Sequence, residues 1–372
     1  MKIAYNHQIF SLQAYGGISR YFIEIVKRID ETKKNQVKIK IFAPFHKNHY
    51  LALNKNKMLF TGFKIPNTRG SSKINNFLNS FLSPIQLNYY NPDIVHETYY
   101  CKKKTKNKSN VKKIVTVHDM IHELFPQEFS KKDKTSEIKK LSIMQADHVI
   151  CVSKKTQEDL VKILGIDKKK TSVVYQGYTL MADNNYSSNI IEKPYLLYVG
   201  SRKGYKNFHR LVEAYANSLE IKNFYNLVVF GGGPFSREEL EFFDLMKIDK
   251  HKMKQVTGDD VKLANYYHNA SLFVYPSLYE GFGMPPLEAM SSGCPVACSN
   301  GGSIPEVVGN AGIFFDPYSI NSIRKNIEKI LNNNQLRSSI IEKGFQRLKN
   351  FSWDKCASET FEVYKKVFNG RY

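Results

Sequence analysis

Two glutamates eight positions apart are the residues best suited to hold a sugar or a ribose. Glu280 and Glu288 lie in the segment YPSLYEGFGMPPLEAM, which ends at Met290. A short apolar run ends at Tyr275, and paired prolines follow where a helix should begin, because proline is favoured at the first helical position. We therefore predict that Glu280 lies on a loop and Glu288 in the first turn of a helix. Each carboxylate can accept paired hydrogen bonds from vicinal hydroxyls.

The same loop can present backbone amides to an anion. Glycine allows close approach of the main chain, and a helix N-terminus stabilises negative charge. A second loop, at Gly301, Gly302 and Ser303, precedes a short helix and could offer further amides. From the first loop we assign contacts with the bound ligand to Glu280, Gly281, Phe282, Gly283, Met284 and Glu288.

Two cations follow the predicted strand 195–199. Arg202 and Lys206 follow it on a loop and could stabilise a phosphate group by their charge. The sequence contains no DxD motif to hold a metal, so side-chain cations must do this work. The alternative is a pair of ordinary surface cations, which are common in so basic a protein. If the phosphate belongs to a nucleotide, we expect its base beside 230–234 and 255–257, with Val256 and Thr257 as contacts.

The first half of the chain supplies a second group of candidates. Gly16 and Gly17 stand between the first strand and the first long helix, where they would let the backbone approach a diphosphate. His118 ends a predicted buried strand and Asp119 follows it, and His96 ends another strand on what we take as the acceptor side. A hydrogen-bonded core histidine is the alternative for His118. No third ligand accompanies His118, so we predict no metal site.

Short apolar strands that alternate with amphipathic helices predict an α/β protein with two doubly wound parallel sheets facing a ligand cleft. The N-terminal domain is predicted at 1–180, and the C-terminal domain at 181–351. A final helix at about 352–372 is expected to pack back on the first domain. The polar stretch 184–193 is interpreted as the linker, and 207–219 as a single helix. The five scattered cysteines, with no CxxC pair, indicate a reduced cytoplasmic protein without disulfides.

The net charge of +21 is unevenly distributed, since residues 1–190 carry +17 and the remainder +4. Such a field attracts phosphate groups. Segment 74–90 combines apolar residues close to helical spacing with flanking lysines, which suits an anionic membrane surface. A solvated lysine-rich face beside a core helix is the alternative of nearly equal weight. The clustered lysines are Lys102, Lys103, Lys104, Lys106, Lys108, Lys112 and Lys113, then Lys131, Lys132, Lys134, Lys139 and Lys140.

The motifs together resemble family 4 glycosyltransferases of the GT-B fold, over essentially the whole chain. The E-x7-E segment is the hallmark of that family. VGSRKGYKNF at 199–208 resembles its donor-phosphate loop, and SNGGSIPEV at 299–307 resembles the loop after the next strand. In the first half, GGISRY at 16–21, VHDM at 117–120 and ADHVICVS at 146–153 also match.

The resemblance implies catalysis with retention of anomeric configuration. Glu280 would orient the donor sugar, Glu288 would hold the ribose hydroxyls, and His118 would contact the transferred sugar near its reacting carbon. No cofactor is implied beyond the nucleotide-sugar co-substrate. The donor loop resembles that of members that use GDP-mannose, and UDP-hexoses remain open. We expect a saccharide acceptor, carried on a lipid diphosphate, in surface polysaccharide (O-antigen or capsule) synthesis, with the enzyme peripheral on the inner face of the plasma membrane.

A nucleic-acid-binding protein is the main rival class, because the calculated pI is about 9.5 and aromatic residues are abundant. No helix-turn-helix, zinc module or aromatic RNA-binding signature supports that class. Salt-sensitive background binding is all that we expect from the charge. A sugar-nucleotide epimerase or a phosphorylase would keep a related fold, but the E-x7-E spacing and the chain length speak against both.

Overall fold

The computed structural model describes residues 1–53, 59–66, 71–102, 110–179 and 194–370. The chain divides into two compact units. Unit 1 comprises Met1–Gly177 together with Ser352–Tyr372, and unit 2 comprises Tyr178–Phe351. The stretch that we interpret as the linker, 184–193, lies outside the described residues.

Unit 1 is built on a parallel sheet that has seven strands within the described ranges. The spatial order is β3-β2-β1-β4-β5-β6-β7. The order reverses between β1 and β4, and in such sheets ligands bind outside the carboxyl ends of the strands at this switch point. The strands are β1 Lys2–Tyr5, β2 Lys38–His46, β3 Phe60–Lys64, β4 Ile94–Glu97, β5 Lys112–Val117, β6 His148–Cys151 and β7 Thr171–Val173.

Helices cover this sheet because their apolar faces need burial. The longest N-terminal helix buries Tyr21, Phe22, Ile25 and Ile29, which recur at helical spacing. The C-terminal helix packs against it within unit 1. The helices are α1 Gln8–Leu12, α2 Gly17–Lys33, α3 His49–Leu53, α4 Ser71–Tyr90, α5 Ile121–Leu124, α6 Thr135–Met144, α7 Lys154–Leu164 and α16 Trp353–Phe368.

Unit 2 repeats the same topology. Its parallel sheet runs β10-β9-β8-β11-β12-β13 through the described residues, with the switch point between β8 and β11. The strands are β8 Tyr195–Val199, β9 Asn226–Phe230, β10 Met253–Val256, β11 Leu272–Tyr275, β12 Val296–Ser299 and β13 Ile313–Phe315. The helices are α8 Phe208–Ala216, α9 Leu219–Phe224, α10 Arg237–Leu245, α11 Asp260–Asn269, α12 Met284–Ser291, α13 Ile304–Val308, α14 Ile320–Leu331 and α15 Asn334–Leu348.

The predicted α/β class with two doubly wound parallel sheets is confirmed. The helix predicted at 207–219 is wrong as a single element, because it ends at Ala216 and a second helix begins at Leu219. The Ser218 hydroxyl accepts a hydrogen bond from the Ile221 amide and thereby caps the new helix. His118 follows β5 instead of ending it, since the strand stops at Val117.

Asn207 joins three segments of unit 2. It has a left-handed backbone, with φ of 58°, at the position before α8. Its buried side-chain amide donates to the carbonyl of Pro276, at 3.0 Å, and to the carbonyl of Pro317, at 2.7 Å. The chain segments that leave β8, β11 and β13 are therefore held together by one amide group.

Replacement of Asn207 by alanine should lower the free energy of unfolding of unit 2 by about 3 kcal/mol, because two buried carbonyls lose their donor and alanine resists positive φ. Asn207→Gly is the matched variant, since glycine loses the same hydrogen bonds but accepts the backbone angle. It should be destabilised by about 1 kcal/mol less than alanine. Denaturant unfolding measures both, and an alanine variant as stable as wild type would contradict the assignment.

Unit 1 should lose stability as the pH falls from about 6.5 towards 4. Burial lowers the pKa of each of five of its histidines, so the unfolded chain binds protons that the folded unit does not. The lowered values are about 4 for His7, His46, His118 and His148, and about 3 for His96. Burial raises the pKa of Glu97 and of Asp30, which acts in the opposite direction, but these are two groups against five.

The single tryptophan, Trp353, is buried in unit 1, so its fluorescence reports the unfolding of that unit. We expect the tryptophan transition in urea to move to lower denaturant at pH 5 than at pH 7. A transition that stays in place between these pH values would contradict the burial of neutral histidines.

Candidate functional site

The predicted cations and Glu280 lie on loops that follow adjacent strands. Arg202 and Lys206 follow β8, and Glu280 follows β11, which is paired with β8. These are the two strands of the unit 2 switch point, where the carboxyl ends of parallel strands leave room for a ligand. The Leu278 amide also donates to the Tyr205 carbonyl at 2.7 Å. The sheet topology therefore brings the two predicted motifs into one place.

Lys206 and Glu280 form an ion pair. The distance from Lys206 Nζ to Glu280 Oε1 is 2.7 Å, and the two side chains are 19% and 10% exposed. The Tyr275 hydroxyl is also hydrogen-bonded to Glu280, and burial, together with this carboxylate, raises the pKa of Tyr275. The ammonium group lies 5.2 Å from the centre of the Tyr205 ring. A half-buried cation is thus held at the switch point, next to a carboxylate of fixed orientation.

The main chain around Glu280 is fixed by Ser303. The buried Ser303 hydroxyl is 2.9 Å from the carbonyl oxygens of both Glu280 and Phe282. Gly302 has φ of 58°, and a Cβ there would lie 2.6 Å from the Glu280 nitrogen, so this position requires glycine. The Ser303 amide donates to the Glu280 carbonyl. The second glycine loop therefore supports the first loop and does not offer the Ser303 amide to a ligand.

Glu288 lies further along its helix than we predict from the sequence. Gly283 is the N-cap of α12, with φ of 91°, and the prolines occupy the first turn as expected. Glu288 is then the fifth helical residue, in the second turn. Its Oε2 accepts a hydrogen bond from the Tyr267 hydroxyl at 3.3 Å. Of the other loop residues, Phe282 is buried against Phe351, whereas Gly283 and Met284 are partly exposed.

Arg202 is engaged by the protein itself. Its Nε and Nη2 donate to the two carboxylate oxygens of Glu239 at 2.6 and 2.9 Å. Its remaining N–H groups donate to the carbonyls of Gly231, Gly233 and Pro234. Partial burial acts to raise the pKa of Glu239, but the hydrogen bonds from Arg202 and the Ser236 amide, together with the charges of Arg202 and Lys203, outweigh it and the pKa is lowered. Arg202 can reach a diphosphate only by releasing some of these partners.

The predicted base contacts lie beside the loop that Arg202 holds. The carbonyl of Val256, the last residue of β10, accepts from the Gly231 amide at 2.9 Å, and Thr257 is exposed next to it. Gln255 Nε2 donates to the Gly231 carbonyl at 3.2 Å. Main-chain groups at the ends of β9 and β10 therefore form one rigid edge.

In unit 1, Gly16 is the N-cap of α2 and Gly17 is its exposed first residue. Gln13 Oε1 accepts from the Ser19 amide at 3.2 Å, and this bond fixes the start of the helix. A Cβ on Gly16 would lie 2.3 Å from the same oxygen. Gly16 thus makes room for the Gln13 side chain at the beginning of this 17-residue helix, and Gly17 remains exposed.

His118 is buried and neutral. Burial lowers its pKa to about 4, and its ring lies edge-on to Tyr21, with centroids 5.2 Å apart. Among the described residues no hydrogen-bond partner meets its Nε2. Asp119 Oδ1 accepts from the Ile121 amide at 3.0 Å. Buried Lys139 donates to the Asp119 carbonyl at 3.1 Å and to Glu123 at 2.7 Å, which fixes the loop after β5.

His96 belongs to a buried polar network. Its Nδ1 is 2.6 Å from the Tyr364 hydroxyl and its Nε2 is 2.8 Å from the Thr116 hydroxyl. The side chain has no exposed surface. Because both ring nitrogens are hydrogen-bonded inside unit 1, His96 joins β4 to α16 and has no free nitrogen to contact an acceptor substrate.

The basic surface is smaller than the sequence suggests. Lys139 is buried, Lys113 pairs with buried Glu97 at 2.8 Å, and Lys112 pairs with Asp147 at 3.3 Å. Lys103, Lys104, Lys106 and Lys108 lie outside the described residues. The exposed members are Lys102, Lys131, Lys132, Lys134 and Lys140.

No helix within the described ranges is long and apolar enough to cross a bilayer. The described residues also contain no group of three or more His, Cys, Asp or Glu side chains that could hold a metal ion.

Sequence reasoning assigned no role to Asn207, Tyr275 or Glu239, although each positions a predicted site residue. Asn207 directly follows Lys206 within the quoted loop motif, and this adjacency is a signal that could have found it. Tyr275 begins the segment that contains Glu280 and could have been found in the same way, whereas Glu239 lies 37 positions from Arg202 and leaves no comparable signal.

Two family profiles match the chain almost end to end. "Glycosyltransferase Family 4" matches residues 15–180, and "Glycosyl transferases group 1" matches residues 184–347. Among curated relatives, O-antigen chain mannosyltransferase B of Escherichia coli is 37% identical over 46% of this chain and 45% of its own length. O-antigen chain mannosyltransferase RfbU of Salmonella typhimurium is 31% identical over 58% of this chain and 61% of its own. The matches thus span about half of each relative.

Solved structures of low sequence identity share the fold. Sucrose-phosphate synthase of Thermosynechococcus elongatus superposes with a TM-score of 0.77 at 20% identity, over 99% of both chains. Anabaena Alr3699/HepE, solved with UDP and glucose, superposes with a TM-score of 0.72 at 17% identity, over 98% of this chain and 100% of its own. The two glycosyltransferase profiles between them cover most of the chain, and these structures share its fold, so the protein belongs to the family 4 glycosyltransferases of the GT-B fold.

Proposed function

We propose that the protein is a retaining, metal-independent hexosyltransferase. It would move mannose from GDP-mannose to a saccharide carried on a lipid diphosphate, in surface polysaccharide synthesis. The observation that carries the proposal is the Lys206–Glu280 pair at the unit 2 switch point, with a 2.7 Å contact between a half-buried cation and a carboxylate. A cation for phosphate and a carboxylate for sugar hydroxyls are the two groups that a sugar diphosphate needs.

Lys206 would bind the diphosphate of the donor. An ammonium that is mostly removed from water interacts more strongly with the growing negative charge of a leaving diphosphate than a solvated one would. Without donor, Glu280 balances this charge. Donor binding would exchange part of that pairing for phosphate oxygens, and would release the carboxylate to accept hydrogen bonds from the sugar.

The two glutamates would divide the sugar and the ribose between them. Glu280 is fixed by Lys206 and Tyr275 and would orient the transferred hexose. Glu288, supported by the Tyr267 hydroxyl, would hold the ribose hydroxyls. Arg202 would keep the Gly231–Gly233 loop in place beside the base, and the leaving diphosphate would accept the proton of the acceptor hydroxyl.

His118 would contact the transferred sugar as a neutral imidazole. Its Nε2 has no hydrogen-bond partner among the described residues, and a buried polar atom without a partner is costly. A sugar hydroxyl would supply that partner. Because burial holds the pKa of His118 near 4, this group remains neutral throughout the physiological range.

Mannose is favoured as the transferred sugar because two relatives over 30% identical are described as O-antigen chain mannosyltransferases. A UDP-hexose is the second candidate, since a structural neighbour was solved with UDP and glucose. A melting-temperature screen against GDP, UDP and their sugars separates the two, followed by product analysis with the best donor.

An anionic membrane is the proposed place of work. Helix α4 exposes Phe77, Phe81 and Ile85, which are 64%, 57% and 64% exposed. Their four-residue spacing places them on one face. An exposed apolar face on a basic unit suits the interface of an anionic bilayer.

Lys206→Met should weaken GDP binding by about 10- to 100-fold, because a charge-assisted contact to phosphate is lost. GMP, which lacks the second phosphate, should be affected less. Lys203→Met is the matched control, since Lys203 is an exposed cation of the same loop. Isothermal titration of GDP and GMP into wild type and both variants measures these affinities. Equal losses in the Lys203 and Lys206 variants would leave only a nonspecific effect of charge.

Glu280→Gln and Glu288→Gln should fail in different ways. Glu280→Gln should keep its affinity for GDP, because Lys206, released from its internal partner, can still bind the diphosphate. Its rate of transfer should fall by about 100-fold or more. The second should bind GDP at least about tenfold more weakly, because ribose contacts are lost. Titration with GDP and initial rates of transfer measure the two effects. The assignment fails if the two variants lose affinity and rate in the same proportion.

A further inference from the structure

Unit 1 contains a half-open cavity of about 330 Å³ that no predicted site residue explains. Ligand pockets in proteins fall in the range of about 300–1,000 Å³. Residues that follow β1, at 6–12, and residues from the end of β4, at 97–102, form one side of it. One face of α4 forms the other. The cavity therefore lies at the switch point of unit 1, where a sheet of this order accommodates a ligand.

The wall that a ligand would meet is mainly apolar. Leu12, Pro84, Leu87 and Tyr100 line the cavity. Asn6 and Glu97 in the wall already have protein partners, whereas His7 Nδ1 and Gln8 Oε1 have no hydrogen-bond partner among the described residues. Asn6 Oδ1 accepts from the Thr98 amide at 2.8 Å.

The charged groups are equally informative. Glu97 is buried, and Lys113 and Ser142 hold its carboxylate at 2.8 and 2.5 Å. The imidazole of His7 is neutral at pH 7, because burial lowers its pKa to about 4. Lys102 is exposed at the edge of the cavity. The cavity thus combines a mainly apolar wall with an exposed cation, Lys102, at its rim.

The exposed apolar face of α4 continues into the cavity. Phe77, Phe81 and Ile85 lie on the exposed side, and Ser80 and Pro84 lie on the cavity side of the same helix. At 100° per residue, Pro84 lies about 20° from Phe77 around the helix axis. An apolar chain can therefore pass from the surface of α4 into the cavity without crossing a polar strip.

We propose that this cavity binds the first isoprenoid units of a prenyl diphosphate, the lipid that carries the acceptor saccharide, with Lys102 beside the diphosphate. The inference rests on the proposed function, since it specifies the lipid part of the acceptor. Each methylene that leaves water for the cavity adds to the binding free energy, so a short segment of chain is enough to anchor the acceptor.

Cys101 provides a local reporter of occupancy. It lines the cavity and is partly exposed, whereas Cys151, Cys294, Cys298 and Cys356 are buried. The experiment measures the rate of Cys101 alkylation by N-ethylmaleimide, by peptide mass spectrometry, with farnesyl, geranyl or dimethylallyl diphosphate or with inorganic diphosphate. Farnesyl diphosphate should slow alkylation by about tenfold or more, shorter chains progressively less, and inorganic diphosphate not at all.

Ser80→Phe should fill the cavity and abolish protection, whereas Ser80→Ala, the matched control, should keep it. Leu12→Asp places a carboxylate in the apolar wall and serves as a second blocking variant if Ser80→Phe does not fold. Absence of protection in wild type, equal protection by inorganic diphosphate, or protection that survives both blocking variants would overturn the proposal.

The GDP-dependent melting shift is measured on the same preparations. If GDP or UDP stabilises the wild-type protein but farnesyl diphosphate does not protect Cys101, only the lipid assignment is wrong. If no nucleotide stabilises the protein, the proposed function is wrong. The alkylation rates of Cys101 still report whether the cavity binds a prenyl chain.

Discussion

The geometry of the candidate site in unit 2 depends on the side-chain amide of Asn207. This group donates to two carbonyls on loops that follow other strands, and so it holds the segments after β8, β11 and β13 together. Lys206 is the preceding residue, so its position follows from that attachment. Without it, the ion pair with Glu280 would need two independent loops to meet by chance, at an entropic cost of about 1–2 kcal/mol for each residue ordered.

Arg202 and Ser303 extend the same principle. Each uses its hydrogen-bonding capacity on main-chain carbonyls of a neighbouring loop. The loops that would meet the nucleotide are therefore positioned by buried or half-buried polar side chains. This is why Arg202, which looks in the sequence like a free cation for phosphate, is occupied in the structure. Polar groups that leave water need partners, and the loops provide them.

In unit 1, burial determines the state of the two candidate histidines. His118 is neutral because it is enclosed, and His96 behind it is completely paired inside a network with Thr116 and Tyr364. The network connects the sheet to α16, the C-terminal helix. The C-terminal segment therefore belongs to the core of the unit that the N-terminus begins.

The sequence by itself determined the α/β class, the positions of most strands along the chain, and the loops that carry Glu280, Lys206 and His118. Local patterns are enough for these features, because strand periodicity and glycine loops are properties of short segments. Strands β3 and β10 escaped sequence reasoning, since their exposed or mixed patterns resemble loops. Only the tertiary structure decided which polar side chains are already bound to other protein groups. Arg202, His96 and Lys139 have the residue types of ligand contacts, but partners far away in the sequence occupy them, and no local pattern encodes such partners.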